Sequence, residues 1–148
     1  DSSASVGPFN LRFARTTHGR KNMAIRIEVQ EKEHKKSFGF SGDGDFTEAT
    51  KDLFANIDLL AHETYLLDTK ILGHGCVKDA LSAAIEIGVK QLAMLHINRS
   101  VRKNSKKQII DLIQEKTDMP KLAKDINDEN FPAKLNVSIP EPGDNYEI

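Results

Sequence analysis

Four of the five histidines in this 148-residue chain stand at junctions between apolar or helical segments and the turns beside them. His18 follows Phe9–Arg15, His62 follows Ile57–Ala61, and His96 lies near the end of Gln91–Ile97. His74 sits in Gly73-His74-Gly75, just ahead of a helical pattern that begins near Val77. His34, inside a charged connection, has no such setting. Two carboxylates share these places: Asp43 within Ser41-Gly42-Asp43-Gly44-Asp45, and Glu63 next to His62. Neutral imidazole binds zinc- or manganese-type ions, and an aspartate can bridge two ions with its two oxygens. Ions held in this way polarise a phosphoryl oxygen and supply hydroxide at neutral pH, so the residue types fit a metal-dependent hydrolase. Glycines beside Asp43 let the backbone turn sharply and approach a ligand closely. Each residue taken singly also has a plainer reading. A strand-end histidine is commonly a surface or hydrogen-bonded group, Asp43 fits an Asx-turn, and Glu63 could accept nearby N–H groups. Their order along the chain, and the elements that carry them, decide between the two.

Apolar residues alternate over Phe9–Arg15 and again over Met23–Val29, the period-2 mark of strands, with a polar turn at 16–22 between them. Glu31–Lys36 reads as a charged hairpin-like connection, and Ser37–Phe40 as a third strand. Thr47, Glu48 and Thr50 predict a capped helix over Glu48–Ala55. Ile57–Ala61 and Gln91–Ile97 are short apolar runs suited to buried strands. Val77–Ile87 has helical spacing, and Gly88 suits its C-terminal stop. Ser105–Lys116 carries a helical stripe of Ile109, Ile110, Leu112 and Ile113. Pro120–Pro132 reads as a loop or loose helix, Leu135–Ile139 as a last strand, Glu141–Asp144 as a turn, and Tyr146–Ile148 as a short hairpin partner. The order β-β-β-α-β-α-β-α-β predicts an α/β domain with a partly parallel sheet. Function in such sheets collects at the C-terminal ends of strands.

Composition narrows the classes. The length fits one domain, and 39% hydrophobic with 29% charged residues is ordinary for a globular chain. A net charge of −1 excludes a diffuse electrostatic grip on nucleic acid, leaving only local patches. Cys76 stands alone, so a disulfide framework and a cysteine zinc knuckle are both excluded, and a reducing, cytoplasmic setting is expected. No apolar run reaches the length of a membrane span, and no membrane partner is expected. Residues 1–8 read as a disordered tail or the cut edge of a longer chain, ahead of one domain over 9–148.

With these residues in order, most of the chain resembles the metallo-β-lactamase fold, and within it the ribonuclease Z-like phosphodiesterases. Thr16-Thr17-His18 ahead of Met23-Ala-Ile-Arg-Ile is similar to the family's metal-binding histidine between two strands. Phe40-Ser-Gly-Asp43-Gly resembles the strand ending in Gly-Asp-Thr whose aspartate bridges two metals. Ala61-His62-Glu63-Thr64 resembles the His-Glu-x-Thr element. Gly73-His74-Gly75-Cys76, ahead of Ala80, Ala83 and Ala84, resembles the His-Ser-Thr stretch of the ribonuclease Z branch. Leu92-Ala-Met-Leu-His96 resembles the strand that ends in the last metal histidine. The chain departs from the pattern at Gly44, at Gly75-Cys76 and at Ile97-Asn98-Arg99. The family's His-x-His-x-Asp-His motif occurs nowhere in the sequence.

The resemblance implies the C-terminal half of an αβ/βα sandwich, a mixed sheet with helices on one face. It implies His18, Asp43 and His96 as metal ligands, His74 as a proton donor or charge stabiliser, and Glu63 as its support. Two zinc ions are expected in the complete site, with manganese or iron as alternatives. The implied substrate is a phosphodiester, with RNA and a cyclic nucleotide as the candidates. Three ligands split between two ions complete neither site, so a missing N-terminal half, a partner chain or a homodimer is implied, and the chain alone is expected to be inactive. The alternatives are a non-catalytic regulatory or assembly module of the same fold, and a thioester or lactam hydrolase.

Overall fold

A computed structural model describes residues 2–19, 21–125 and 135–148. The chain forms β1 (Ser2–Val6), β2 (Phe9–Arg15), β3 (Met23–Glu31), β4 (His34–Phe40), α1 (Glu48–Phe54), β5 (Leu59–Glu63), α2 (Val77–Glu86), β6 (Gln91–Leu95), α3 (Arg99–Asn104), α4 (Lys106–Asp125) and β7 (Asn136–Ser138). The seven strands make one sheet in sequence order. β1 to β4 pair antiparallel as hairpins, whereas β4 to β7 are parallel and joined by crossover segments. The mixed α/β sheet expected from the sequence is therefore present. No helix among the described residues is long and apolar enough to cross a membrane.

Several elements differ from the sequence reading. Residues 2–6, expected as a tail, form an edge strand on β2. They are exposed throughout and carry no core stripe, so the hairpin ladder alone holds them. The charged connection contracts to Lys32-Glu33, because Glu31 pairs with His34. Lys32 takes a left-handed φ of 55° in that turn. β5 begins two residues later than the apolar run and includes His62 and Glu63, which pair with Met94 and Leu95 of β6. α3 was not anticipated, since it buries no residue and presents no stripe. Tyr146–Ile148 returns to the parallel edge without forming a strand. Its links are a Tyr146–Ser138 hydroxyl hydrogen bond and one from Gln91 Nε2 to the Glu147 carbonyl. The helical option for 120–132 holds as far as Asp125, and the remainder of that stretch lies outside the described residues.

The two sheet faces are unlike. α1 packs across β2 and β3, α2 against β6, and α4 against α2. The core lies between them: Leu53, Phe54, Ile57, Leu60, Val77, Leu81, Leu92, Met94 and Ile109 are all buried. The opposite face carries Leu11, Phe13, Ile25, Ile27, Phe38 and Phe40 with Leu59, Ala61 and Ala93, placed side by side by the strand register. Among the described residues no helix packs on this face, and its strand residues form a separate small cluster.

Candidate metal and proton-transfer site

The site lies where β2, β4, β5 and β6 meet their following loops. Each loop delivers one group. Asp43 sits in the turn after β4, between Gly42 at φ 62° and Gly44 at φ 133°. A Cβ at Gly42 would meet Asn22 Oδ1 at 2.3 Å, and one at Gly44 would meet Thr16 Cβ at 2.6 Å. At Gly44 both the φ and the Thr16 side chain require glycine, whereas at Gly42 the obstacle is the movable end of Asn22 and the positive φ is what favours glycine. Thr16 Oγ1 donates to the Asp43 carbonyl at 2.6 Å, tying this turn to the loop that carries His18.

The Asp43 carboxylate divides between two imidazoles. Oδ1 lies 3.2 Å from His96 Nδ1, and Oδ2 lies 4.0 Å from His18 Nε2. His96 comes one residue past β6 and adopts a left-handed φ of 53°. The other nitrogen of His18, Nδ1, is buried and without a hydrogen-bond partner among the described residues. A buried imidazole nitrogen left unpaired is a cost that a ligated cation or an added donor would remove.

Glu63 is the buried centre of the arrangement, with its side chain 2% exposed. Its backbone N donates to Ser41 Oγ at 2.9 Å. Oε2 accepts the Gly44 N–H at 2.6 Å, and Oε1 accepts from His74 Nδ1 at 2.6 Å. Both oxygens are therefore occupied, and His74 is held with Nδ1 towards Glu63 and Nε2 free of hydrogen bonds among the described residues. His96 Nδ1 lies 3.7 Å from the same Glu63 oxygen. Donor atoms of Glu63, His74 and His96 lie within 4.8 Å of one another, so this trio also has the spacing to share a cation. The direct Glu63–His74 bond leaves no gap for an ion between those two groups, whereas the Asp43, His18 and His96 atoms are open to one.

The structure brings His18, Asp43, Glu63, His74 and His96 together and excludes His62. The β5 alternation sends His62 to the helix side, where its ring stacks on Phe46 at 4.0 Å and Nδ1 donates to the Glu63 carbonyl at 2.6 Å. Burial pushes its pKa down to about 4, so it stays neutral. Sequence reading missed Tyr65, whose ring stacks on His74 at 4.8 Å and whose hydroxyl accepts from Asn98 Nδ2 at 3.0 Å. It also missed Ser41 and Thr16, whose neighbours Asp43 and His18 were the only signal pointing to them.

The donor set fits a metal of the zinc or manganese type: two imidazoles face two oxygens of one carboxylate, with an unpaired buried nitrogen beside them. No protein-family model matches the chain, and no curated protein matches it. Solved structures do. The metallo-beta-lactamase fold protein YhfI from Bacillus subtilis aligns with a TM-score of 0.64 at 21% identity, over 94% of this chain and 50% of that one. The fold is that of the metallo-beta-lactamase proteins. Igni18, a metallo hydrolase from Ignicoccus hospitalis, gives a TM-score of 0.58 at 11% identity, over 97% of this chain and 56% of its own. The short form of human tRNase Z gives 0.56 at 22% identity, over 67% of this chain and 40% of its own. The chain thus spans about half the length of YhfI and less than two thirds of the others.

Proposed function

We propose that this chain supplies the C-terminal share of a binuclear metal-dependent phosphodiesterase. The observation that carries this reading is the Asp43 carboxylate, with one oxygen 3.2 Å from His96 and the other 4.0 Å from His18, beside a Glu63–His74 pair. His18 and His96 would each hold one ion and Asp43 would bridge them, with zinc the expected ion and manganese or iron accepted by the same donors. When bound, the ions supply Lewis acidity and a hydroxide at neutral pH.

The chain's own groups supply the rest. Glu63 fixes the His74 ring through Nδ1, so that Nε2 is the nitrogen left to meet substrate. In the protonated ring, whose charge the buried Glu63 carboxylate balances, Nε2–H can be given to the departing oxygen, leaving a neutral imidazole that keeps Nδ1–H on Glu63. Tyr65 backs the ring and limits its rotation. Arg15 and Lys21 line a cavity of about 310 Å³ together with Thr16 and His18, which suits an anionic substrate. Structural neighbours named RNase Z and tRNase Z support an RNA phosphodiester as the substrate, with a cyclic nucleotide as the smaller possibility.

The remaining metal ligands would come from a second sheet layer packed on the uncovered face, either the other half of a longer protein or a partner chain. Metal content and turnover of bis-p-nitrophenyl phosphate by the intact protein test this reading against Asp43→Ala. The variant is expected to lose bound metal and nearly all activity. Equal rates in both proteins would sink the proposal and favour a non-catalytic module of the same fold.

A further inference from the structure

The loop that joins β5 to α2 carries His74 back to Glu63, and its ends are well tied. Tyr65 N donates to the Gly75 carbonyl at 3.1 Å, Val77 N to Leu66 at 2.8 Å and Lys78 N to Leu67 at 3.0 Å. At the tip, His74 N donates to the Ile71 carbonyl at 3.0 Å, closing a tight turn. Between these ties the chain runs through solvent, and Leu72 is 98% exposed. From that stretch the Lys70 side chain reaches the rest of the protein. Lys70 Nζ lies 2.5 Å from Asp45 Oδ2 and 2.9 Å from Asp79 Oδ2.

The two carboxylates belong to different parts of the site. Asp45 follows Asp43 by two residues, and its backbone N donates to Thr17 Oγ1 at 2.8 Å, one residue before His18. Asp45 Oδ1 also accepts the Phe46 N–H at 2.9 Å, which sets the carboxylate's orientation. Asp79 stands in the first turn of α2. One ammonium thus connects the His74 loop, the Asp43 turn, the His18 loop and a helix. Hydrogen bonding to Asp45, then to Asp79, holds the Lys70 pKa above its usual value, so the group stays charged.

An ion pair this exposed contributes little to global stability. Its effect is geometric, because a misplacement of about 1 Å in a reacting group can cost on the order of a hundredfold in rate. We propose that Lys70 is a positioning residue that braces the His74 loop on Asp45 and Asp79, keeping His74 on Glu63 and in line with Asp43. The kinetic consequence rests on the reading of His74 as proton donor; the structural consequence does not.

The test compares intact wild-type protein with Lys70→Met and Lys70→Arg. The first readout is the NMR signal of the His74 Nδ1 proton bonded to Glu63. It is expected to broaden or vanish in Lys70→Met and to persist in Lys70→Arg, with little change in melting temperature. The second is turnover of two phosphodiesters, one losing an aryloxide and one an alkoxide. Loss of kcat in Lys70→Met should reach about tenfold or more for the alkoxide ester, be small for the aryloxide ester, leave KM unchanged, and be restored by arginine. Asp79→Asn, which removes one of the two anchors, should fall between wild type and Lys70→Met. An unaltered His74 signal in Lys70→Met overturns the proposal; equal losses on both esters with an altered signal support the brace and overturn the reading of His74 as proton donor. If wild type turns over neither ester, the phosphodiesterase reading fails and the His74 signal alone decides the brace.

Discussion

Glu63 is the residue on which most of the site depends, because each of its oxygens serves a different neighbour. Glu63→Gln keeps the shape but replaces one acceptor with a donor. Its amide N–H₂ must then face either the Gly44 N–H or His74 Nδ1–H, leaving a buried donor unpaired. A stability loss of about 1–3 kcal/mol is expected on that ground. Activity should fall further, by about 10²–10⁴, since His74 loses the partner that orients it. Thermal unfolding and kcat measured on one preparation separate the two effects, and a variant as active as wild type would refute the role. His62 gives a second test at this scale. Its folded pKa of about 4 lies below the usual 6.5, so the unfolded chain binds a proton in that window and the folded one does not. Stability is therefore full above pH 6.5 and declines as pH falls towards 4, by at most roughly 3 kcal/mol. Carboxylates held below their usual range act lower down. Glu28 is one, where burial is outweighed by hydrogen bonds from Lys35 and Arg26. In denaturant titrations His62→Phe should flatten the slope between pH 6.5 and 4 while leaving the steeper loss below that window; an unchanged slope would assign it to other groups. That His18, Asp43, Glu63, His74 and His96 lie near one another was legible, because their order along the chain matched a family pattern. That His62 faces the core was not, since its direction is set by where β5 starts, and an apolar run does not mark that start.

At the scale of elements, the decisive feature is the turn after β4. Gly44→Ala would place a methyl 2.6 Å from Thr16 Cβ at a φ of 133°, so both the space and the backbone oppose it. The turn must open, and Asp43 moves with it while the Gly44–Glu63 hydrogen bond stretches. Expected outcomes are a loss of about 1–3 kcal/mol in stability and a drop in metal stoichiometry by elemental analysis. Retention of full metal content would show that the turn has slack the geometry does not reveal. Elements with an amphipathic stripe or a cap were readable. α1 has the capping box made by Thr47 and Thr50, and α2 ends ahead of Gly88 at φ 73°. β1 and α3 were not readable, because both are held by neighbours and neither buries an apolar face.

Across the whole molecule, the alternation in β3 misleads in an informative way. Its apolar set, Met23, Ile25, Ile27 and Val29, is the set expected to face a core, yet it lies on the face that no helix covers. The polar set is the buried one. Arg26 donates to Glu28 and to the Leu53 and Ala55 carbonyls at the end of α1, so helix ends and an ion pair fill that side. A strand that is apolar on one face and saturated with internal partners on the other belongs between two layers, and the described residues supply only one of them. Phe38 and Phe40 of β4 and Leu11 and Phe13 of β2 extend the same face. An apolar face of this continuity drives association unless a second sheet covers it. The 148-residue chain on its own is therefore expected to bind a hydrophobic dye and to elute as a dimer or larger species. Ile27→Lys should shift it towards monomer without loss of helical signal, because the helix-covered core lies on the other side. In a protein that contains the covering layer, the same substitution should instead be strongly destabilising, since it buries an unpaired charge between two sheets. A monodisperse, dye-silent 148-residue chain would mean that the face is already satisfied, and any further ligands of the proposed binuclear site would then have to be sought elsewhere than in a second layer.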